Sequence, residues 1–383
     1  MKKTGVIVVG GYINGLGLVR ALAARGIPTA VITTKPYDIA HRSRYVVSHA
    51  AALDLDERPE SLLELVDRRA SEWAGWALLP SNDEALAALA LHHDRLSSTH
   101  TVLAPPWEVA ECFLDKGKMM KLAQSVGVSL PGFYGSAAHP AVDLRFPVLV
   151  KPVRGYQFAA QFGCKLFVAH DCAELDACVA RATKANMPCL LYEYIPGSDA
   201  SVYVYCVYVD AKGEPSEGLT MRKLRQSPPF FGVARVAEVV EHNAALRDAT
   251  VEMAHRVGFR GMVETEFKRD ERDGTFRFLE MNGRSILANA LLRRAGLDTA
   301  WMAWADYVEG RPEPATPNGW PGVWVNLRAD MAYSTIYRRQ NPISLREFVS
   351  PYCRPTIEAV WSWRDPIPFV AQWAPIAFTA SSG

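Results

Sequence analysis

The chain is poor in the features that would commit it to a membrane, a nucleic acid or an oxidising compartment. Its 383 residues contain no apolar run of roughly 18 residues, the least a bilayer-spanning helix needs. Net charge is small: 42 Lys and Arg against 41 Asp and Glu leave +1, too little for a broad nucleic-acid footprint or an acidic tail. The 7 cysteines are odd in number and form no CxxC pair, which argues against a disulfide framework and a zinc site. A reducing cytoplasm is expected. There is no internal repeat and no low-complexity tract. Lys2 and Lys3 ahead of GVIVVGGYINGLGLV mimic a secretory leader, but Asn14 and the glycines interrupt the apolar run and Arg20 follows it.

What is present is an ordinary globular composition, 49% hydrophobic and 22% charged, with length for two or three domains. GVIVV at 5–9 reads as a buried parallel strand, GGYINGLG at 10–17 as a turn opening a helix, and Thr29 to Thr33 as a second strand. Helices over 59–73 and 83–96 alternate with a strand at 76–79. The expectation is a parallel α/β unit over residues 1–108. After Pro105-Pro106 the pattern changes. A helix at 115–127 precedes strands of an antiparallel sheet at 147–168, 189–194 and 201–209. VETEFKRDERDGTFRFLEMN at 263–282 reads as a β-hairpin turning at Asp273-Gly274. This α+β region is expected over 109–310, with a smaller part at 109–190 and a larger one at 191–310. Residues 311–383, rich in Pro and Trp, are expected to form an extension packed on the body.

The glycine loop first suggests a dinucleotide site. Gly10, Gly11, Gly15 and Gly17 lack the GxGxxG spacing, however, and the second strand ends in Thr33-Thr34-Lys35 without the acid that would hold a ribose. Two readings stay open: a tight turn for strand–helix packing, or a helix N-terminus that holds a substrate anion through Gly11 and Asn14.

The hairpin carries the stronger signal. Glu280 stands fourteen positions after Glu266, and Asn282 two beyond Glu280. Residues two apart share a strand face, so Glu280 and Asn282 point together and the turn folds Glu266 alongside. Three oxygen donors on one face suit a magnesium ion that bridges nucleotide phosphates. Glu264 shares the face and competes as a ligand. Lys151, at the end of FPVLV, and Lys116, at a helix start, could hold polyphosphate oxygens. Arg222, Lys223 and Arg225 put three cations in four positions, suited to an acidic substrate or a phosphate. A solvated strand end is the alternative.

In order, DK at 115–116, FPVLVKP at 146–152, LYEYIPGSD at 191–199, VETEF at 263–267 and FLEMNGR at 278–284 resemble the ATP-grasp superfamily over roughly 1–310. GGYINGLGLVRAL, MRKLRQSPP at 221–229 and WSWRDPIP resemble, more narrowly, the carboxylate–amine ligases related to D-aspartate ligase. The resemblance implies a Rossmann-like parallel-sheet unit followed by a two-lobed ATP-grasp domain. It implies ATP and Mg2+ (or Mn2+) as cofactors. Lys116, Lys151 and Lys165 would contact the nucleotide phosphates. Glu193, Tyr194 and Ile195 would read adenine as a hinge, and Asp199 would accept from the ribose. Glu266, Glu280 and Asn282 would hold the metal, and Arg284, with Lys223 and Arg222, would meet the transferred phosphate. Arg225 would help bind an acidic substrate.

Two departures are visible: RGYQFAAQFG at 154–163 replaces a run of glycines, so aromatic residues are expected over the phosphates, and Gly283 stands where relatives often have Pro. The implied reaction joins a carboxylate to an amine through an acyl phosphate, with loss of ADP and phosphate. Small-molecule acid and amine partners are expected, with no nucleic acid and no membrane; a homodimer is left open. The alternatives are a carboxylase that uses bicarbonate, a non-catalytic nucleotide binder and, third, an oxidoreductase, already weakened by the glycine spacing.

Overall fold

The structure is a computed structural model that describes residues 4–52, 54–140, 143–153, 158, 161–337 and 342–373. Three sheets organise it. The first is parallel and runs β3 (Val46–Ala51), β2 (Thr29–Thr33), β1 (Val6–Val9), β4 (Ala77–Pro80), β5 (Thr101–Val102). Its middle strands are buried on both faces, as all-parallel sheets are: every residue of β1 is 0% exposed. Helix Ile13–Ala23 covers one face, and helices Ser61–Arg68 and Asp83–Leu91 pack against the other.

The second sheet is antiparallel and runs β7 (His139–Pro140), β6 (Phe133–Ser136), β10 (Cys189–Glu193), β8 (Val148–Pro152), β9 (Phe167–Ala169). Helix Cys172–Lys184, capped by Asp171 through the Glu174 N–H, packs on it. The strand expected at 201–209 does not join this sheet. It is β11 (Val202–Val209), an interior strand of the third sheet, whose order is β15 (Phe276–Asn282), β14 (Gly261–Arg269), β11, β12 (Leu219–Ser227), β13 (Val233–Val240), β16 (Val323–Val325), β17 (Thr356–Glu358). Chain order misled here because the turn after β10 carries the backbone from one sheet into the next.

The segment expected as a packed extension does more than pack. It supplies β16 and β17, so the third sheet continues well past residue 310. It is also bolted to the N-terminal unit. Arg20 donates to Asp365 Oδ2 at 2.9 Å and to the carbonyls of Val360 and Asp365, while Ser43 Oγ and the Arg44 N–H complete the shell of the buried Asp365 carboxylate. Among the described residues no helix is long and apolar enough to cross a membrane.

Candidate active site

The hairpin register puts the acids where the period-2 pattern requires. On neighbouring strands Glu266 lies opposite Glu280, and Glu264 opposite Asn282. β11 pairs on the other side, with Val204 against Glu266 and Cys206 against Glu264. Glu264 and Glu266 are 4% and 8% exposed, whereas Glu280 is exposed and Asn282 half-buried. Buried carboxylates need compensation, and Lys223 of β12 provides it: its Nζ lies 2.5 Å from Glu266 Oε1. Burial opposes the charge on Lys223, yet Glu266, Glu280 and Glu264 together hold its pKa above the usual lysine value. Glu264 is the group left over. Burial, and then the neighbouring charge on Glu266, push its carboxyl up to about 8, against the pull of Arg284 and Lys223.

The basic residues converge from several elements. Lys116 starts helix Lys116–Ser125, set by the Asp115 N-cap on the Lys118 N–H. Lys151 emerges from β8 with its Nζ 5.1 Å from the centre of the Tyr192 ring. Burial, and then the charge on Lys116, press its pKa down to about 8, with Glu280 opposing. The Lys165 pKa is lowered mainly by desolvation, with Glu280 and Glu266 opposing. Lys151 and Lys165 thus both lie within electrostatic range of Lys116 and of Glu280. Arg284 donates to Asn282 Oδ1 at 3.0 Å.

The residues expected to form a hinge lie where the chain passes from the second sheet to the third. The Glu193 N–H donates to the Gly132 carbonyl at 2.8 Å and the Tyr194 N–H to the Pro147 carbonyl at 3.3 Å. The Glu193 side chain is committed as well, accepting from the Gly132 N–H and from Arg272 Nη2 at 2.5 Å. Ile195 is buried, and Lys268 stacks over the Tyr194 ring.

Five expected residues are committed elsewhere. Arg222 precedes Lys223 on one strand, so it faces the opposite side of the sheet, where it pairs with Glu238 together with Arg354. Arg225 follows a β-bulge and binds Asp330 at 2.7 Å and the carbonyls of Glu347 and Phe348. Asp199 is buried and accepts from the Gln226 N–H, Gln226 Nε2 and the Phe230 N–H. It holds the turn that keeps Phe230 at φ 70° rather than offering its oxygens to a ribose. Beside that turn a cavity of about 170 Å³ is lined by Cys164, Lys165, Phe230, Phe231 and Tyr337.

The glycine loop also resolves towards packing. The Gly11 N–H is spent on Asp38 Oδ2 at 3.0 Å. Asn14 Nδ2 donates to the Ser81 carbonyl, and the Asn14 carbonyl accepts from Asn289 Nδ2 at 2.8 Å. Asn289 also donates to Ser285 Oγ at 2.8 Å. A Cβ on Gly17 would collide with the Asn289 amide. The loop is thus the joint between the first sheet and the segment that follows Arg284.

The expectation of aromatic cover over the phosphates falls largely on 154–157 and 159–160, outside the described residues. Phe158 is described, and it turns inward, fully buried, with its ring centre 4.7 Å from that of Phe162 and 4.8 Å from that of Phe167. Sequence reading had no way to find Asp83, whose carboxylate grips Arg284 at 2.8 and 3.1 Å; the two lie 201 positions apart.

Comparison with known proteins agrees with this architecture. No family model matches the chain. D-aspartate ligase of Enterococcus faecium is 22% identical over 184 residues, 46% of this chain and 44% of its own length. The match therefore spans less than half of that relative. Among solved structures, an ADP complex of N5-carboxyaminoimidazole ribonucleotide synthetase superposes with TM-score 0.66 at 13% identity, covering 85% of this chain and 82% of that one. L-amino acid ligase from Bacillus licheniformis gives TM-score 0.62 at 16% identity, over 82% and 76% of the two chains. Ordered motifs, sheet topology and these superpositions together identify the chain's fold as that of the ATP-grasp proteins.

Proposed function

We propose that the protein is an ATP-dependent carboxylate–amine ligase that activates an acid as its acyl phosphate. The observation that carries this reading is the facing arrangement of Glu266 with Glu280 and of Glu264 with Asn282, with Lys151 and Lys165 near enough to feel both Glu280 and Lys116. Likeness to D-aspartate ligase and to an L-amino acid ligase favours an amino acid among the substrates. Seven unpaired thiols suit a cytoplasmic setting.

The donor set fits a magnesium ion: Glu266, Glu280 and Asn282 offer hard oxygens, and the exposed Glu280 is free to turn inward. Among the described residues the one His, Cys, Asp or Glu trio with ligand atoms within 4.8 Å of one another is Asp54, Asp56 and Glu84. Lys35 already lies 3.1–3.6 Å from those three acids, so that cluster is an ion-pair network. When bound, magnesium neutralises phosphate charge and orients the triphosphate. The chain's own residues do the rest. Lys116, Lys151 and Lys165 draw the phosphates against the second sheet. The hinge backbone from Glu193 to Ile195 meets the base through groups other than the Glu193 and Tyr194 N–H, which the chain already uses. Lys223 and Arg284 stabilise the charge that builds on the transferred phosphoryl group and on the acyl phosphate. The amine then displaces phosphate, and closure of the cleft keeps water from the activated acid.

The test is incubation with ATP and pooled amino acids, followed by mass spectrometry. A product lighter by one water than an acid and an amine combined, formed with stoichiometric ADP, is expected. ADP formed only when bicarbonate is supplied would replace this reading with a carboxylase, and absence of nucleotide binding would end it.

Lys151 supplies a pH prediction. Its ammonium is lost as pH rises through about 8, and phosphates prefer the charged form. Affinity for ADP, measured by calorimetry, is therefore expected to fall above that pH, by up to about tenfold per unit. In Lys151→Arg, whose cation persists, the profile flattens.

A further inference from the structure

Arg284 is held from outside its own sheet. Its Nε and Nη2 donate to the two oxygens of Asp83 at 2.8 and 3.1 Å, the two-pronged fit of a guanidinium on a carboxylate. Nη2 also reaches Asn282 Oδ1 at 3.0 Å, and Nη1 reaches the Ser285 carbonyl at 3.3 Å. A guanidinium has five N–H donors; among the described residues these contacts leave one on Nη1 for a ligand. Asp83 opens helix Asp83–Leu91, whose start is fixed by the Asn82 side chain on the Ala85 N–H. That helix belongs to the N-terminal unit, so the unit reaches into the site with a single carboxylate.

We propose that Asp83 is a positioning residue for Arg284, aligning the guanidinium beside Asn282 for an anionic phosphate or carboxylate oxygen. The inference rests on the ligase reading above and adds a residue from a different part of the chain. Two observations set it apart from a clasp between units. The Asp83 side chain is 56% exposed, and exposed ion pairs stabilise little. The joint is already made by the bonds linking Ser81, Asn14, Asn289 and Ser285 and by the apolar cluster around Leu18, Leu291 and Leu292. What Asp83 adds is direction. Glu264 and Glu280 also act on the Arg284 charge. Released from Asp83, the long side chain would swing towards those acids and cancel the charges meant for a cation.

The experiment compares Asp83→Asn and Asp83→Glu with Asp365→Asn, a variant in the remote clasp around Arg20. Turnover is read as ADP release with ATP, Mg2+ and pooled amino acids. ADP affinity comes from calorimetry, and the Arg284 Nε–H from spectra of 15N-arginine protein assigned with Arg284→Lys. Asp83→Asn is expected to lower kcat about 10- to 100-fold, to leave ADP affinity within about twofold, and to speed exchange of the Arg284 Nε–H. Asp83→Glu should recover part of the rate. Asp365→Asn should melt earlier without these changes. An unchanged Nε–H in Asp83→Asn, or a kcat within about twofold of the parent, overturns the proposal. Absence of ADP binding by the parent protein overturns the ligase reading instead, while the arginine spectra still decide whether Asp83 positions Arg284.

Discussion

Glu280→Gln is expected to reduce ATP turnover by about 100-fold or more, the scale seen when one preorganised group facing transition-state charge is removed. Glu280 is exposed near the end of β15, so the substitution should change thermal unfolding far less than loss of a buried partner would, and the loss will read as chemistry. Glu266→Gln should match it in activity but differ in stability. It takes the partner from Lys223, which is 3% exposed and sits 2.5 Å from Glu266, and an unpaired buried ammonium is costly. Coupled ADP release, titrated with Mg2+, checks both. Turnover by Glu280→Gln within about threefold of the parent would remove Glu280 from the metal-binding set.

The largest effect on stability is expected at Asp330. This fully buried carboxylate accepts from Arg225 at 2.7 Å and from Tyr352 at 2.7 Å, and lies 3.4 Å from Arg235. Arg225 and Arg235 are 7% and 1% exposed. Asp330→Ala strands both cations in the interior, and breaking a buried pair this way costs about 3–5 kcal/mol. The midpoint of urea unfolding should fall accordingly. Replacing the acid and both arginines together with apolar residues should recover much of the loss, because the penalty comes from isolated charge and not from missing volume.

How far the site was legible follows from how far apart its partners lie in the chain. Glu266, Glu280 and Asn282 were readable because a hairpin is local: alternation fixes the face and the turn fixes the register. β1, β2 and β4 of the first sheet were readable for a similar reason, since a short apolar run between turn residues needs no distant information, whereas the edge strands β3 and β5 were not anticipated. The basic run at 222–225 was misread through the same alternation. A strand cannot send Arg222 and Lys223 to one side, and only Lys223 meets the acids, while Arg222 finds Glu238. Arg225 and Asp199 were misassigned because charge is visible in a sequence and its partner is not. Their counterparts, Asp330 and the turn at 226–230, are brought close by tertiary packing. Gly11 and Asn14 suggested an anion site for the same reason: nothing local announces that Asp38 and Ser81 consume their donors. Asp83 was invisible from the sequence, being one acid at a helix start among many.

The clasp around Asp365 has a bearing on biosynthesis. Arg20 is made early, yet its carboxylate partner lies 345 positions further along the chain. A ribosome therefore releases the first parallel sheet long before the piece that locks helix Ile13–Ala23 in place. Until then, Arg20 near the interior of the nascent unit lacks the carboxylate that pairs with it. Nascent chains halted before residue 365 should be more readily cut by protease near that helix than chains that extend past it, so that a segment made late completes one made long before it.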